Sequence, residues 1–238
     1  MSLRRSLPPC VLYFTLFIEL DLTADDMNQV LEKMYETHHS TRGRSGFTIL
    51  GGERGTEIAK LVGKAKKVLD IGCRDGALTK FFAEGNDVLG VDIDKNALEK
   101  IQKDLGVKTM FFDLNGDWQE LGSEMFDAVV AGEIIEHLFY PDRVFARVFD
   151  HLKSGGMLIG TVPNAFSLKN RLRYLKGSKV NTPLSDPTHV NHFNAKELRS
   201  LLEKKYQSVE IIGLGRYKML AGLFPAWFAF DLLFVAKK

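Results

Sequence analysis

The sequence predicts an α/β protein: a doubly wound sheet of seven strands with helices on both faces, three layers deep. Three observations carry that reading. From Lys66 onward, short apolar runs alternate with helix-period stretches, as expected of parallel strands joined by crossover helices. A glycine-containing turn directly follows the first run, Val68-Leu69-Asp70-Ile71-Gly72-Cys73-Arg74-Asp75-Gly76. Acids close the second and third runs, at Asp92 and Asp113, at the sheet edge where such folds bind ligands.

The 238 residues are 45% hydrophobic and 26% charged, which supplies a sizeable core and excludes disordered, collagen-like and coiled-coil classes. With 32 basic against 30 acidic side chains, no bulk field marks a nucleic-acid binder, so any basic patch is local. Two cysteines, Cys10 and Cys73, make no disulfide framework, and a reducing, cytoplasmic setting is the simplest context. At the N-terminus, Cys10 to Leu20 is an apolar run about half the ~20 residues that span a bilayer. It reads as a weak membrane anchor, an added strand or helix, or an extension upstream of a working start at Met27. The third reading is adopted, giving an extension over 1–26 and one domain over 27–238.

The elements follow in order. Strands are expected at Lys67–Ile71, Asp87–Val91, Thr109–Phe112, Phe126–Ala131 and Met157–Val162, with a closing antiparallel pair at Ser208–Ile212 and Leu232–Ala236. A helix starts near Ala77, after the glycine turn. Another carries the stripe Val144, Phe145, Val148, Phe149 and Leu152 and is stopped by Lys153-Ser154-Gly155-Gly156. Ala165 to Lys176 reads as helix, Gly177 to Val190 as a loop, and Ala195 to Lys205 as a helix capped by Asn194. Gly213 to Asp231 is too long for a tight turn.

The turn at Gly72–Gly76 brings backbone N–H groups around an anionic or polar ligand group. Asp92 lies 92 − 70 = 22 residues beyond Asp70, near the ~20 expected of a carboxylate that accepts both ribose hydroxyls, so the ligand carries an adenosine. A dinucleotide would require G-x-G-x-x-G; here the spacing is Gly72-x-x-x-Gly76, with a carboxylate two residues earlier that suits an ammonium.

On these residues the chain resembles the class I S-adenosylmethionine-dependent methyltransferases, whose fold is Rossmann-like. The resemblance implies that S-adenosylmethionine binds through Asp70, Gly72, Cys73 and Gly76 at its methionine part and through Asp92 and Ile93 at its ribose. Asp113 and Leu114 would meet the adenine, and Glu133 would reach the cofactor from the fourth strand. S-adenosylhomocysteine would be the product. Arg74 stands where the family has a glycine; if that backbone needs φ > 0 it is strained, and its guanidinium is expected in solvent. Cys73 reads as a small buried filler without a catalytic role.

After strand four, Glu133, Glu136 and His137 would share a face of a helical turn. They could hold Mg²⁺ or Mn²⁺, with His189 or His192 as a further ligand. This E-x-x-E-H with a later histidine resembles the ubiquinone-biosynthesis O-methyltransferases, which act on polyprenyl catechols. It is also similar to the small-RNA 3′-end ribose methyltransferases. By that resemblance Glu133, Glu136, His137 and His189 are metal ligands and His137 and Glu133 are catalytic. His137 acting alone as a general base, or merely lining the pocket, are the competing readings.

The acceptor is expected to be a small molecule with a hydroxyl, aromatic or lipid-linked. An RNA ribose and a binding protein without turnover stand as alternatives, and a nicotinamide oxidoreductase as a distant one. Tyr35, His38 and His39 in the N-terminal segment and Asn164 and Phe166 after strand five lie in the two regions where this fold usually selects its acceptor, though His38-His39 reads first as an exposed polar pair. Leu168 to Val180 carries five cations, Lys169, Arg171, Arg173, Lys176 and Lys179, and no acid. It could touch anionic lipid, RNA phosphate or water, so peripheral membrane contact is a further expectation.

Overall fold

Residues 50–238 are described by the computed structural model, within a unit that extends over Arg44–Lys238. The Met27 boundary, the apolar run at Cys10 to Leu20, and Tyr35, His38 and His39 lie outside the described residues.

Every expected strand is present: β1 (Lys67–Ile71), β2 (Asp87–Asp92), β3 (Lys108–Phe111), β4 (Phe126–Gly132), β5 (Leu152–Pro163), β6 (Ser208–Leu214) and β7 (Asp231–Lys237). They form one sheet in the order β3-β2-β1-β4-β5-β7-β6. The pairs β1–β2, β1–β4, β2–β3 and β4–β5 are parallel, whereas β7 runs antiparallel to both β5 and β6. Only β7 is therefore reversed, and the carboxyl ends of the other strands share one edge. The central strands read as unbroken apolar runs because helices cover both faces. Every residue of β7 from Asp231 to Ala236 is buried.

Helix α1 (Gly51–Val62) and α2 (Lys95–Leu105) cover one face, where Ile58, Val62, Phe82, Leu98 and Ile101 pack on Val68, Val88 and Val130. Helix α3 (Pro141–His151) and α5 (Ala195–Leu202) cover the other, with Val144, Phe145, Val148, Leu198 and Leu202 against Val129, Leu158 and Phe234. Between α3 and α5 in the chain lies α4 (Leu168–Leu175). Two helices are capped as their sequences dictate. Asp94 accepts from Ala97 N at the start of α2, and Asn194 accepts from Lys196 N and Glu197 N at the start of α5.

Several expectations are corrected. No α-helix follows the glycine turn; the chain makes one 3-10 turn, Thr79–Phe81. Only residues 72–86 join β1 to β2, and their end is fixed by Asn86, whose Nδ2 donates to Phe82 O and Gly63 O at 2.7 and 2.9 Å. The stretch Lys153–Gly156 is not a helix stop, because α3 already ends at His151. It forms a bulge inside β5, where the pairing with β4 slips between Phe126 and Ala128 and Gly155 takes φ 73°. Helix α4 starts at Leu168 instead of Ala165, since Asn164 bridges to Phe193 and Ala165 N donates to Phe193 O. The long connection before β7 holds two short helices, α6 (Lys218–Leu223) and α7 (Pro225–Phe228).

Candidate cofactor and acceptor site

The glycine turn is shaped by its backbone. Gly72 and Gly76 take φ of 70° and 77°, and a Cβ on either would stand 2.7 Å from a side-chain carbon, of Ile134 and Ile101 respectively. Both positions therefore exclude larger residues by conformation and by packing. Arg74 also takes a positive φ, 48°, so the strain anticipated for it is present. Its side chain is not free in solvent: Nε lies 3.3 Å from Asp75 Oδ1.

Asp92 closes β2 and ties the turn to it. Its Oδ2 accepts from Arg74 N at 2.8 Å and its Oδ1 from Asp94 N at 3.0 Å. Each oxygen keeps a second lone pair for a hydroxyl donor. Ile93 follows, half-buried. At the end of β3, Asp113 accepts from Asn115 N at 2.8 Å and remains partly exposed. The Leu114 side chain is in the core, and its carbonyl accepts from Trp118 Nε1 at 3.0 Å.

Asp70 differs from its expected role as the partner of an ammonium. The side chain is 2% exposed and one oxygen accepts from Thr79 Oγ1 at 2.6 Å, so it braces the turn from beneath. Burial pushes its pKa from 3.8 up to about 7 against the pull of the Thr79 bond. A carboxyl whose folded pKa is raised holds its proton where the unfolded chain has lost it, so stability falls as pH climbs from about 4 to about 7. The variant Asp70→Asn is expected to flatten part of that slope and to melt higher than the native chain at pH 8. Melting curves between pH 5 and 8 check this, and a native-like slope in the variant would assign it elsewhere. Cys73 is a buried filler as expected, its thiol pushed up by burial and by Asp70.

The strand-four motif departs from one helical turn. Glu133 takes φ 59° and precedes a 3-10 turn, Ile135–His137. Its Oε1 lies 3.3 Å from Arg54 Nη2, and it stands outside the group that Glu136 and His137 form with His189. Arg54, on α1, is 1% exposed and donates to Asp231 at the start of β7. Neither residue is singled out by the sequence reading. The available signal was Asp231, the one acid in the apolar stretch Gly222 to Leu233.

Glu136 is 2% exposed, and neither oxygen has a hydrogen-bond partner. Burial, reinforced by the Glu133 charge, pushes it well above the usual carboxylate range. Its Oε1 is 3.9 Å from His137 Nε2. His137 Nδ1 lies 2.9 Å from Thr188 O. A carbonyl only accepts, so Nδ1 carries the proton, and in the neutral ring Nε2 holds the lone pair.

His189 is delivered by its loop. Val190 N and Asn191 N both donate to Glu136 O, at 3.0 and 2.9 Å, and Asn191 Nδ2 donates to Leu138 O. The His189 ring then stands 4.9 Å from that of His137, and burial and that neighbour lower its pKa to about 4, leaving it neutral. One donor atom each from Glu136, His137 and His189 lie within 4.8 Å of one another. His189 Nδ1 and the Nε2 of adjacent His192 are buried without partners. Of the four ligands expected, three are brought together; Glu133 lies outside that group. A buried carboxylate with no donor, facing two imidazoles, fits a divalent cation. Two nitrogens and one carboxylate suit Mn²⁺ or another first-row ion better than the Mg²⁺ expected of an oxygen-rich set.

The glycine turn and this cluster adjoin, since Ile134, two residues before Glu136, is the side chain that closes on Gly72. The site therefore offers polar backbone and carboxylates along β1, β2 and β3, and a base or ion site after β4.

A family model described as a methyltransferase domain matches residues 52–205. The chain is 29% identical over 147 residues to the mitochondrial ubiquinone biosynthesis O-methyltransferase of Candida albicans, a stretch covering 58% of this chain and 45% of that protein. It thus spans less than half the length of the curated relative it matches. Among solved structures, a SAM-dependent methyltransferase from Archaeoglobus fulgidus superposes with a TM-score of 0.60 at 20% identity, covering 79% of this chain and 93% of that one. The N-methyltransferase NodS from Bradyrhizobium japonicum, solved with S-adenosyl-L-homocysteine, gives a TM-score of 0.53 at 16% identity, covering 78% and 86%. These last two show a shared fold.

Proposed function

Since the chain belongs to the class I S-adenosylmethionine-dependent methyltransferases, we propose that its acceptor is a small molecule bearing a hydroxyl, a catechol or other vicinal diol. The observation that carries this reading is the Glu136–His137–His189 cluster beside the cofactor turn. Every acceptor must shed a proton, but a hydroxyl needs it most to become a nucleophile, and two vicinal oxygens are what a divalent ion held by such a cluster would chelate and acidify. The O-methyltransferase named in the Candida albicans relative supports the same class.

Bound S-adenosylmethionine supplies an electrophilic methyl sulfonium. Asp92 and Asp113 would hold its adenosine, with Ile93 and Leu114 alongside, and the turn at Gly72–Gly76 would receive the methionine part above Asp70 and Cys73. Glu136, His137 and His189 would hold a divalent ion; such an ion lowers the pKa of a bound hydroxyl. His137 Nε2, its tautomer fixed by Thr188 O, is the atom positioned to take the acceptor's proton when no ion occupies the cluster. Alignment of the acceptor with the S–CH₃ bond is the protein's main remaining task.

Titration calorimetry with S-adenosylhomocysteine, with and without Mn²⁺, tests these assignments. Asp92→Ala is expected to weaken S-adenosylhomocysteine binding at least about tenfold, ~1.4 kcal/mol, and unchanged affinity would overturn the cofactor placement. A Mn²⁺ heat that survives in Glu136→Gln would sink the ion site. Transfer to RNA ribose but not to a catechol would replace the proposed acceptor class.

A further inference from the structure

Helices α4, α6 and α7 carry side chains that the fold leaves uncovered. Leu175 is 84% exposed, Met219 76% and Leu223 67%, and Phe224 and Trp227 stand about half in solvent. These belong to one surface, because α4 and α7 are locked together. The Arg171 guanidinium lies 4.7 Å from the centre of the Trp227 ring, and Asn164 Nδ2 donates to Pro225 O and Ala229 O, both at 3.1 Å. Large exposed apolar side chains gathered on helices that touch one another point to an interaction site.

The charge carried by its own segments has one sign, although Glu53 of α1 stands 3.7 Å from Lys218 at its border. Between Ala165 and Val180 there are Lys169, Arg171, Arg173, Lys176 and Lys179 and no acid; between Leu214 and Phe230 there are Arg216 and Lys218 and again no acid. Apolar and aromatic tips ringed by cations are what an anionic bilayer surface recognises: rings and aliphatic chains enter the headgroup boundary while Lys and Arg meet lipid phosphate. A protein partner of matching shape would need no such uniform charge. Among the described residues no helix is long and apolar enough to cross a membrane, so the contact is peripheral.

The surface adjoins the candidate site. Phe230, at its border, immediately precedes Asp231, and Asn164 N donates to Phe230 O at 3.0 Å at the end of β5. We infer that the face formed by α4, α6 and α7 docks on an anionic lipid surface, which brings the sheet edge to acceptors that reside in or on a membrane. This docking does not depend on which acceptor is methylated, and S-adenosylhomocysteine calorimetry on the same samples reads the cofactor site separately.

The test is co-sedimentation of the full chain with phosphatidylcholine vesicles, with and without phosphatidylglycerol, while tryptophan emission is followed. Trp118 is already buried, so a blue shift on adding vesicles reports Trp227. Binding is expected only to the anionic vesicles, with that shift. Lys169→Gln with Lys176→Gln is expected to weaken it about thirtyfold, roughly fivefold per cation. Leu223→Ser with Phe224→Ser is expected to remove the shift, with S-adenosylhomocysteine affinity retained in both pairs as the check on folding. Equal binding to neutral vesicles, binding to poly(U) RNA without vesicle binding, or no binding to either would each overturn the proposal.

Discussion

His137→Ala is expected to lower transfer to a catechol by about a thousandfold, within the 10²–10⁴ range of a positioned acid or base, with S-adenosylhomocysteine affinity changed by less than about threefold. The reason lies in the division of the site. The cofactor turn, Asp92 and Asp113 belong to β1, β2 and β3, while His137 belongs to the turn after β4 and touches Thr188 and Glu136. Removing the imidazole deletes both the proposed ion ligand and the proposed base, so either chemistry stops. Rapid-quench kinetics with a catechol probe, beside calorimetry, separates the two effects. A variant that retained turnover would remove His137 from the chemistry, and one that lost cofactor binding would show that the two halves are not separable.

Arg54→Met is expected to cost about 3–5 kcal/mol of stability at neutral pH, the usual penalty for breaking a buried ion pair from one side. The guanidinium is fully buried and serves two carboxylates, Asp231 by direct hydrogen bond and Glu133 at 3.3 Å. Burial and the Glu133 charge push Asp231 upward while Arg54 pulls it down. Without the arginine, Asp231 takes up a proton, so the cost grows as pH rises. Replacing both partners, Arg54→Met with Asp231→Leu, is expected to recover most of the loss, because a well-packed apolar pair commonly equals a buried ion pair. Urea unfolding of the native chain and the two variants at pH 6 and 8 provides the comparison. A single-variant loss below about 1 kcal/mol, the worth of an exposed pair, would show that the group is effectively solvated.

The strands were legible because a strand buried on both faces reads as a nearly continuous apolar run, and Ala128 to Ala131 or Leu232 to Ala236 admit little else. The glycine turn itself was legible because Gly72, Gly76 and Asp92 act through local backbone geometry. What failed depended on distant partners. The stretch after Ala77 forms a 3-10 turn in place of the expected helix, and its end is tied by Asn86 to Phe82 O and to Gly63 O across the chain. The face-sharing of Glu133, Glu136 and His137 assumed helical periodicity, but Glu133 sits in a left-handed conformation and its carboxylate goes to Arg54. Arg54 itself, in Gly51-Gly52-Glu53-Arg54-Gly55, resembles any solvated helix charge until Asp231 is placed beside it. The convergence of His189 on His137 was foreseen from a resemblance; the means, two amides of its loop bound to Glu136 O, was not.

The Arg54–Asp231 bond spans 177 positions of sequence. During synthesis, α1 leaves the ribosome long before Asp231 is translated, so until then the guanidinium has only Glu133 of its two carboxylates and burial of the helix is less well compensated. Asp231 completes the ion cluster beneath α1 as β7 inserts in reverse between β5 and β6. A ribosome stalled before that residue should therefore display an incomplete, protease-sensitive methyltransferase, and maturation of the site should coincide with entry of one strand.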